Sequence, residues 1–218
     1  MNGALGAPSA ALFDLDGTLV HSEPRSLALW SRLLDAYGIA HDEAVLNRFT
    51  GRRGPDVVAE DPDLFGGAPW AELHERLLAL AALPGLPPVR TLPRSADYVR
   101  RLHRRGVPIA LVTSAERGWA GEALELAGIA DAFAGAVTAE DVVRGKPDPE
   151  GYLAGARLLG AAPEDVTVFE DTPAGVQAGL SAGMTVVAVT TTHPAAALSA
   201  AHRVVDDLAD AEGPVRSG

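Results

Sequence analysis

The chain contains no cysteine in 218 residues. That excludes disulfides and cysteine-ligated zinc, and leaves the redox compartment unspecified. Lysine is nearly absent: of the 18 lysine and arginine residues only one, Lys146, is lysine. No apolar run approaches the roughly 18 residues needed to cross a membrane, so no membrane partner is expected. Positive charge is in deficit, with a formal net charge of −11. This argues against a nucleic-acid partner, whose phosphates require a basic face. An anionic small molecule would have to be drawn by local cations against the overall field. Met1-Asn2-Gly3-Ala4 carries no basic segment leading into an apolar run, so no secretion signal is expected, and the simplest location is the cytoplasm.

What is present suits a folded α/β protein. Hydrophobic residues make up 47% and charged residues 22%, enough for a substantial core with an ordinary surface. The length fits one domain with an insertion, and a monomer is the default assembly. Beyond residue 90, helical patterns over 93–105, 116–127, 149–159 and 173–182 alternate with apolar runs over 107–112, 134–138, 166–169 and 184–189, and 203–205 reads as a last short strand. Such alternation implies βαβ units and a parallel, Rossmann-like sheet. Residues 22–88 instead show helical periodicity without strands and close in Leu83-Pro84-Gly85-Leu86-Pro87-Pro88. They read as an all-helical insertion, which divides the chain into a core domain of residues 1–21 and 89–218 and a helical domain of residues 22–88. The last residues, 212–218, are expected to fray.

The apolar run Ala10-Ala11-Leu12-Phe13 leads into Asp14-Leu15-Asp16-Gly17-Thr18. A buried strand would thus deliver two carboxylates at its C-terminal end, where open α/β sheets bind ligands. A nucleophile, a second acid and a Mg²⁺ ion suit that arrangement, although a strand followed by an Asp-Gly turn has the same residues. The lone lysine stands in Arg144-Gly145-Lys146-Pro147-Asp148-Pro149. Surface charge elsewhere is supplied by arginine, so a compact ammonium kept between Gly and Pro suits a phosphate or carboxylate. Thr113 and Ser114 follow the apolar run over 107–112, and Glu170 and Asp171 the run over 166–169. Strand ends of a parallel sheet share one edge, so these groups can converge into what phosphoryl transfer requires: charge neutralisation and positioning.

These four segments, in this order, resemble the motifs of the haloacid dehalogenase superfamily of phosphohydrolases, with Phe169-Glu170-Asp171-Thr172-Pro173-Ala174-Gly175 as the fourth. The helical insertion is similar to the cap of the β-phosphoglucomutase-like branch. Val137-Thr138-Ala139-Glu140-Asp141-Val142 and Tyr152-Leu153 are closest to small sugar-phosphate and glycerol-phosphate phosphatases. The resemblance implies that Asp14 is the nucleophile and forms an aspartyl-phosphate, while Asp16 is the general acid and then the base. It implies that Asp14, the Asp16 carbonyl and Asp171 hold Mg²⁺ with Glu170 close by. Thr113, the Ser114 amide and Lys146 would grip the phosphoryl group, and Gly17 would let backbone N–H groups approach it. Asp16 sets the chain apart from the superfamily's metal-independent dehalogenases, and Lys146 lies outside the helical insertion, which excludes a cap lysine of the phosphonoacetaldehyde hydrolase type.

The expected function is a Mg²⁺-dependent phosphatase of a small phosphorylated metabolite, a sugar or polyol. The alternatives are a β-phosphoglucomutase-type phosphosugar mutase, which shares the first half-reaction, and a non-catalytic binding module on the same fold. Arg52 and Arg53, flanked by Gly51 and Gly54, form an arginine pair that is either a substrate clamp or a solvated turn. His21 reads as a hinge residue that could also touch substrate, and Trp30 and Trp70 as core of the insertion. Leu92-Pro93-Arg94 stands where relatives usually carry a Pro-Gly pair.

Overall fold

Apolar runs of four and five residues become the inner strands of a parallel sheet in the computed structural model, which describes residues 7–212. The readings on Met1-Asn2-Gly3-Ala4 and on the C-terminal residues 213–218 lie outside the described residues. In chain order the elements are β1 (Ala10–Phe13), β2 (Val20–His21), α1 (Glu23–Ala36), α2 (Glu43–Asn47), α3 (Gly54–Glu60), α4 (Trp70–Ala81) and β3 (Arg90–Thr91). Then follow α5 (Pro93–Arg104), β4 (Ile109–Val112), α6 (Arg117–Ala127), β5 (Ala136–Val137), α7 (Glu150–Leu159), β6 (Val166–Glu170), α8 (Pro173–Ser181), β7 (Thr185–Val189) and β8 (Arg203–Val205).

Six strands form one sheet in the order β5-β4-β1-β6-β7-β8, with every neighbouring pair parallel. β1 sits inside the sheet, and its alternation sorts two cores. Ala11 and Phe13 face one cluster with Tyr98, Leu102, Leu111 and Phe169. Ala10 and Leu12 face the other with Tyr152, Val168, Val176 and Val186. Phe13 stacks on Phe169 across the β1–β6 pair, with centroids 4.5 Å apart and planes 13° apart. Because both faces are covered, these strands read as unbroken apolar runs.

Strands β4 and β5 are each at least two residues shorter than their sequence patterns. The run over 107–112 pairs only from Ile109, because Pro108 has no N–H for the ladder, although its carbonyl still accepts from Ala11 N at 2.9 Å. The run over 134–138 reduces to Ala136 and Val137 at the sheet edge.

Helices α1 to α4 fill the stretch between β2 and β3 and bury their own cluster, which includes Trp30, Leu33, Leu34, Phe49, Val57, Leu73 and Leu77. Trp30 stacks on Phe49 with centroids 4.0 Å apart. β2 and β3 pair antiparallel, His21 opposite Arg90, so the chain leaves and re-enters the core through a two-stranded ribbon. No helix among the described residues is long and apolar enough to cross a membrane.

Candidate active site

Asp14 extends β1 by one more ladder bond, from its N–H to Phe169 O at 3.0 Å. The chain then turns sharply. Gly17 has φ +86°, and a Cβ there would overlap the Asp171 carboxylate and Thr192 Oγ1. Only glycine lets the backbone pass that close. Its N–H bonds Val20 O at 2.7 Å, and Leu15 O gathers the amides of Thr18, Leu19 and Val20. The turn therefore sets both Asp14 and Asp16 above the sheet edge.

β6 ends in Glu170 and Asp171 follows it, both fully buried. Lys146 arrives from the loop before α7 and is 6% exposed. Its ammonium donates to Asp14 Oδ1 and Glu170 Oε1, each at 2.5 Å. Glu170 is saturated: Oε1 also accepts from Tyr152 Oη at 2.8 Å, and Oε2 from the amides of Asp171 and Thr172 and from Thr172 Oγ1. A side chain at Gly175 would displace that carboxylate. Glu170 thus acts as a fixed anchor for Lys146.

The charges do not cancel. Carboxylate oxygens of Asp14, Glu170 and Asp171 lie within 4.8 Å of one another, and Lys146 supplies one positive charge among three acids. Burial, reduced by Lys146 and reinforced by Glu170, pushes Asp14 up to about 7. Burial, then the charges of Asp14 and Glu170, lifts Asp171 well above the carboxylate range. Glu170 falls below its ordinary value because Lys146 and its other donors outweigh its burial. Burial would lower Lys146, but Asp14 and Glu170 together raise it, so it stays charged. Asp171 Oδ1 accepts from Thr18 Oγ1 at 3.3 Å, whereas its buried Oδ2 has no hydrogen-bond partner. An orphaned carboxylate oxygen in an anionic, oxygen-only cluster fits a hard divalent cation.

Asp16 stands apart and half-buried. Ser22 Oγ and Trp119 Nε1 both donate to its Oδ1, at 2.5 and 3.0 Å. Burial raises its pKa, and these two donors offset only part of the rise. A carboxyl held upward in this way suits proton transfer. The position of Ser22, just before α1, places one donor in the sequence neighbourhood of the first motif. Trp119 gives no such sign: it lies 103 residues from Asp16, and nothing local shows that its indole turns back toward the first motif. Tyr152 was legible only as part of the resemblance, not as the hydroxyl that completes Glu170.

At the end of β4, Thr113 Oγ1 accepts from Ala115 N at 3.0 Å and Ser114 Oγ donates to Gly51 O at 3.0 Å. Thr113, Ser114, Asp14, Asp16, Arg52 and Arg53 line one cavity of about 470 Å³ between the sheet edge and helices α1 and α4. Both members of the arginine pair are engaged by acceptors of the chain itself. Arg53, 8% exposed, spends its guanidinium on both oxygens of Asp56 and on the carbonyls of Ala139, Val142 and Val143, at 2.6–3.1 Å. It ties the start of α3 to the loop before Lys146 and has no donor left for substrate. Arg52 forks onto Glu60, with its two donors at 3.0 and 2.5 Å. His21 lies in the ribbon, and its buried Nδ1 has no hydrogen-bond partner.

The family model of haloacid dehalogenase-like hydrolases matches residues 8–183, which hold every group described above except Thr192. The chain belongs to this family. It is 40% identical over 204 residues to the validoxylamine A 7'-phosphate phosphatase of Streptomyces hygroscopicus subsp. limoneus, with 94% of this chain and 96% of that one covered. Hexitol phosphatase A of Escherichia coli is 36% identical over 182 residues, covering 82% of this chain and 81% of that one. A family hydrolase from Deinococcus radiodurans R1, solved with bound phosphate and sodium, superposes with a TM-score of 0.66 at 32% identity, covering 97% of this chain and all of the other. The protein is therefore a hydrolase whose relatives are phosphatases of phosphorylated sugars and polyols, and its parallel sheet with flanking helices is the fold of that family.

Proposed function

We propose that this protein is a Mg²⁺-dependent phosphatase of small phosphorylated sugars or polyols that works through an aspartyl-phosphate on Asp14. One observation carries the reading. Lys146 fixes Asp14 by Oδ1 alone, and among the described residues no hydrogen bond engages Oδ2, so one oxygen is oriented and the other is free to attack. Asp14 and Asp171, with the main-chain carbonyl of Asp16, would hold the ion, with Glu170 in the same cluster. When bound, Mg²⁺ neutralises the excess carboxylate charge and that of the transferring phosphoryl group.

The chain's own residues do the rest. Asp14 Oδ2 bonds to phosphorus as the ester P–O bond breaks, and Asp16 gives its proton to the departing alcohol. Asp16 then takes a proton from water as the water oxygen bonds to phosphorus and the Asp14 acyl-phosphate bond breaks, releasing phosphate. Lys146, Thr113, the Ser114 amide and the backbone at Gly17 hold the phosphoryl oxygens throughout. Residues 22–88 act as a cap over the site and residues 1–21 and 89–218 as the core, with the β2–β3 ribbon as the hinge between them. The names of the relatives, which act on validoxylamine A 7'-phosphate and on hexitol phosphates, support the substrate class.

The test is phosphate release from a panel of hexose, pentose and polyol phosphates with Mg²⁺ or with chelator. Release that requires Mg²⁺ is expected. Movement of phosphate within a hexose phosphate without release would instead establish the mutase.

A further inference from the structure

Glu170 and Asp171 are neighbours in the chain but are held very differently. Glu170 is saturated with donors. Among the described residues Thr18 Oγ1 alone reaches the Asp171 carboxylate, on Oδ1 at 3.3 Å, and buried Oδ2 has no hydrogen-bond partner. Carboxylates that take a metal ion are themselves fixed by outer hydrogen-bond partners. Asp171 is short of one.

The loop after β7 brings a candidate. Thr190 is pinned beside β8, its N–H on Val205 O and its hydroxyl on Asp206 Oδ1, both at 3.0 Å. Pro194 opens a single 3₁₀ turn over Ala195–Leu198 in which Leu198 is fully buried. Between these anchors Thr192 Oγ1 is buried and, among the described residues, has no hydrogen-bond partner either. The two unpartnered oxygens are neighbours: both stand against the Gly17 backbone, where a Cβ would overlap each of them. The hydroxyl is close enough to favour the charged form of Asp171. Thr192 lies beyond residues 8–183, the span that the family model matches, and belongs to none of the four motifs.

We propose that Thr192 is a positioning residue for the divalent ion: its hydroxyl donates to Asp171 Oδ2 and holds that carboxylate in place to take the cation. A buried donor and a buried acceptor left unpaired each cost stability, and each is the nearest remedy for the other. A cation on Asp171 keeps the carboxylate charged, and hydrogen bonds to ionised acceptors are the strong ones. The inference rests on the reading of Asp171 as a metal ligand and adds to it a residue from outside the motifs.

The test is calorimetric titration of Mg²⁺ into the metal-free protein at pH 8 for the wild type, Thr192→Val and Thr192→Ser, with each melting temperature taken in chelator. Thr192→Val keeps the shape of the side chain and removes the donor. Its Mg²⁺ affinity is expected to fall about tenfold or more, whereas Thr192→Ser, which keeps the hydroxyl, stays close to the wild type. In chelator Thr192→Val is expected to melt no lower than the wild type, since the hydroxyl it removes is unpaired there. Wild-type affinity in Thr192→Val overturns the inference. So does a serine variant as weak as the valine one, or a valine variant that melts lower in chelator, because packing would then explain the loss. A wild-type protein that takes up no Mg²⁺ overturns the metal reading, and the inference with it.

Discussion

Trp119 reaches Asp16 from the first turn of α6, and its indole N–H is one of two donors among the described residues on a carboxylate that, in the proposed mechanism, both gives and takes a proton. A hydrogen bond to a charged group contributes about 1.5–3 kcal/mol, and about 1.4 kcal/mol corresponds to tenfold in rate. Trp119→Phe keeps a ring in the wall and removes the donor. We expect kcat to fall about tenfold or more with a smaller change in KM, measured by steady-state phosphate release. A full kcat would show that Ser22 alone orients Asp16. The residue scale is also where the sequence was least informative. Asp14, Lys146 and Asp171 declare themselves by motif and by the scarcity of lysine, because their chemistry is local. The partners of Asp16 and Glu170 do not, because Trp119 and Tyr152 meet them only after the sheet has formed.

At the scale of elements, strand and helix order was legible throughout the core, because buried parallel strands are continuous apolar runs and the helices between them keep a 3.6-residue period. The ribbon of β2 and β3 was not, since two-residue strands carry no period. The arginine pair shows the same limit: a Gly-flanked basic turn looks like a clamp until its acceptors are known. In the structure Arg53 joins α3 to the loop before Lys146, its guanidinium donors engaged by Asp56 and three carbonyls. Arg53→Ala would leave Asp56 and three carbonyls short of a donor, and we expect a loss of about 2 kcal/mol in unfolding free energy, read from the denaturant midpoint. Unaltered stability with a raised KM would return Arg53 to the substrate.

At the scale of the molecule, the chain concentrates buried negative charge at one sheet edge, and this makes stability and metal affinity depend on pH. Asp14 is raised from 3.8 to about 7, and Asp16 and Asp171 are raised as well. A carboxyl whose pKa is higher in the folded state adds stability that is fully present below pH ~4 and is lost as pH rises toward 7. A bound divalent cation replaces those protons, so its affinity rises over the same interval. The increase in Tm on adding Mg²⁺ should therefore be small at pH 5 and large at pH 8, as measured by calorimetry. An equal increase at both pH values would mean that the ion does not bind among these carboxylates.

The central claim is that Asp14 itself carries the phosphoryl group. The most direct measurement is acid-quenched mass spectrometry of the enzyme during turnover with Mg²⁺, alongside Asp14→Asn. We expect the wild-type peptide containing Asp14 to gain one phosphoryl group, and Asp14→Asn to show neither that adduct nor turnover, since an amide is a poor nucleophile. Turnover retained in Asp14→Asn, or an adduct on another residue, would contradict the account.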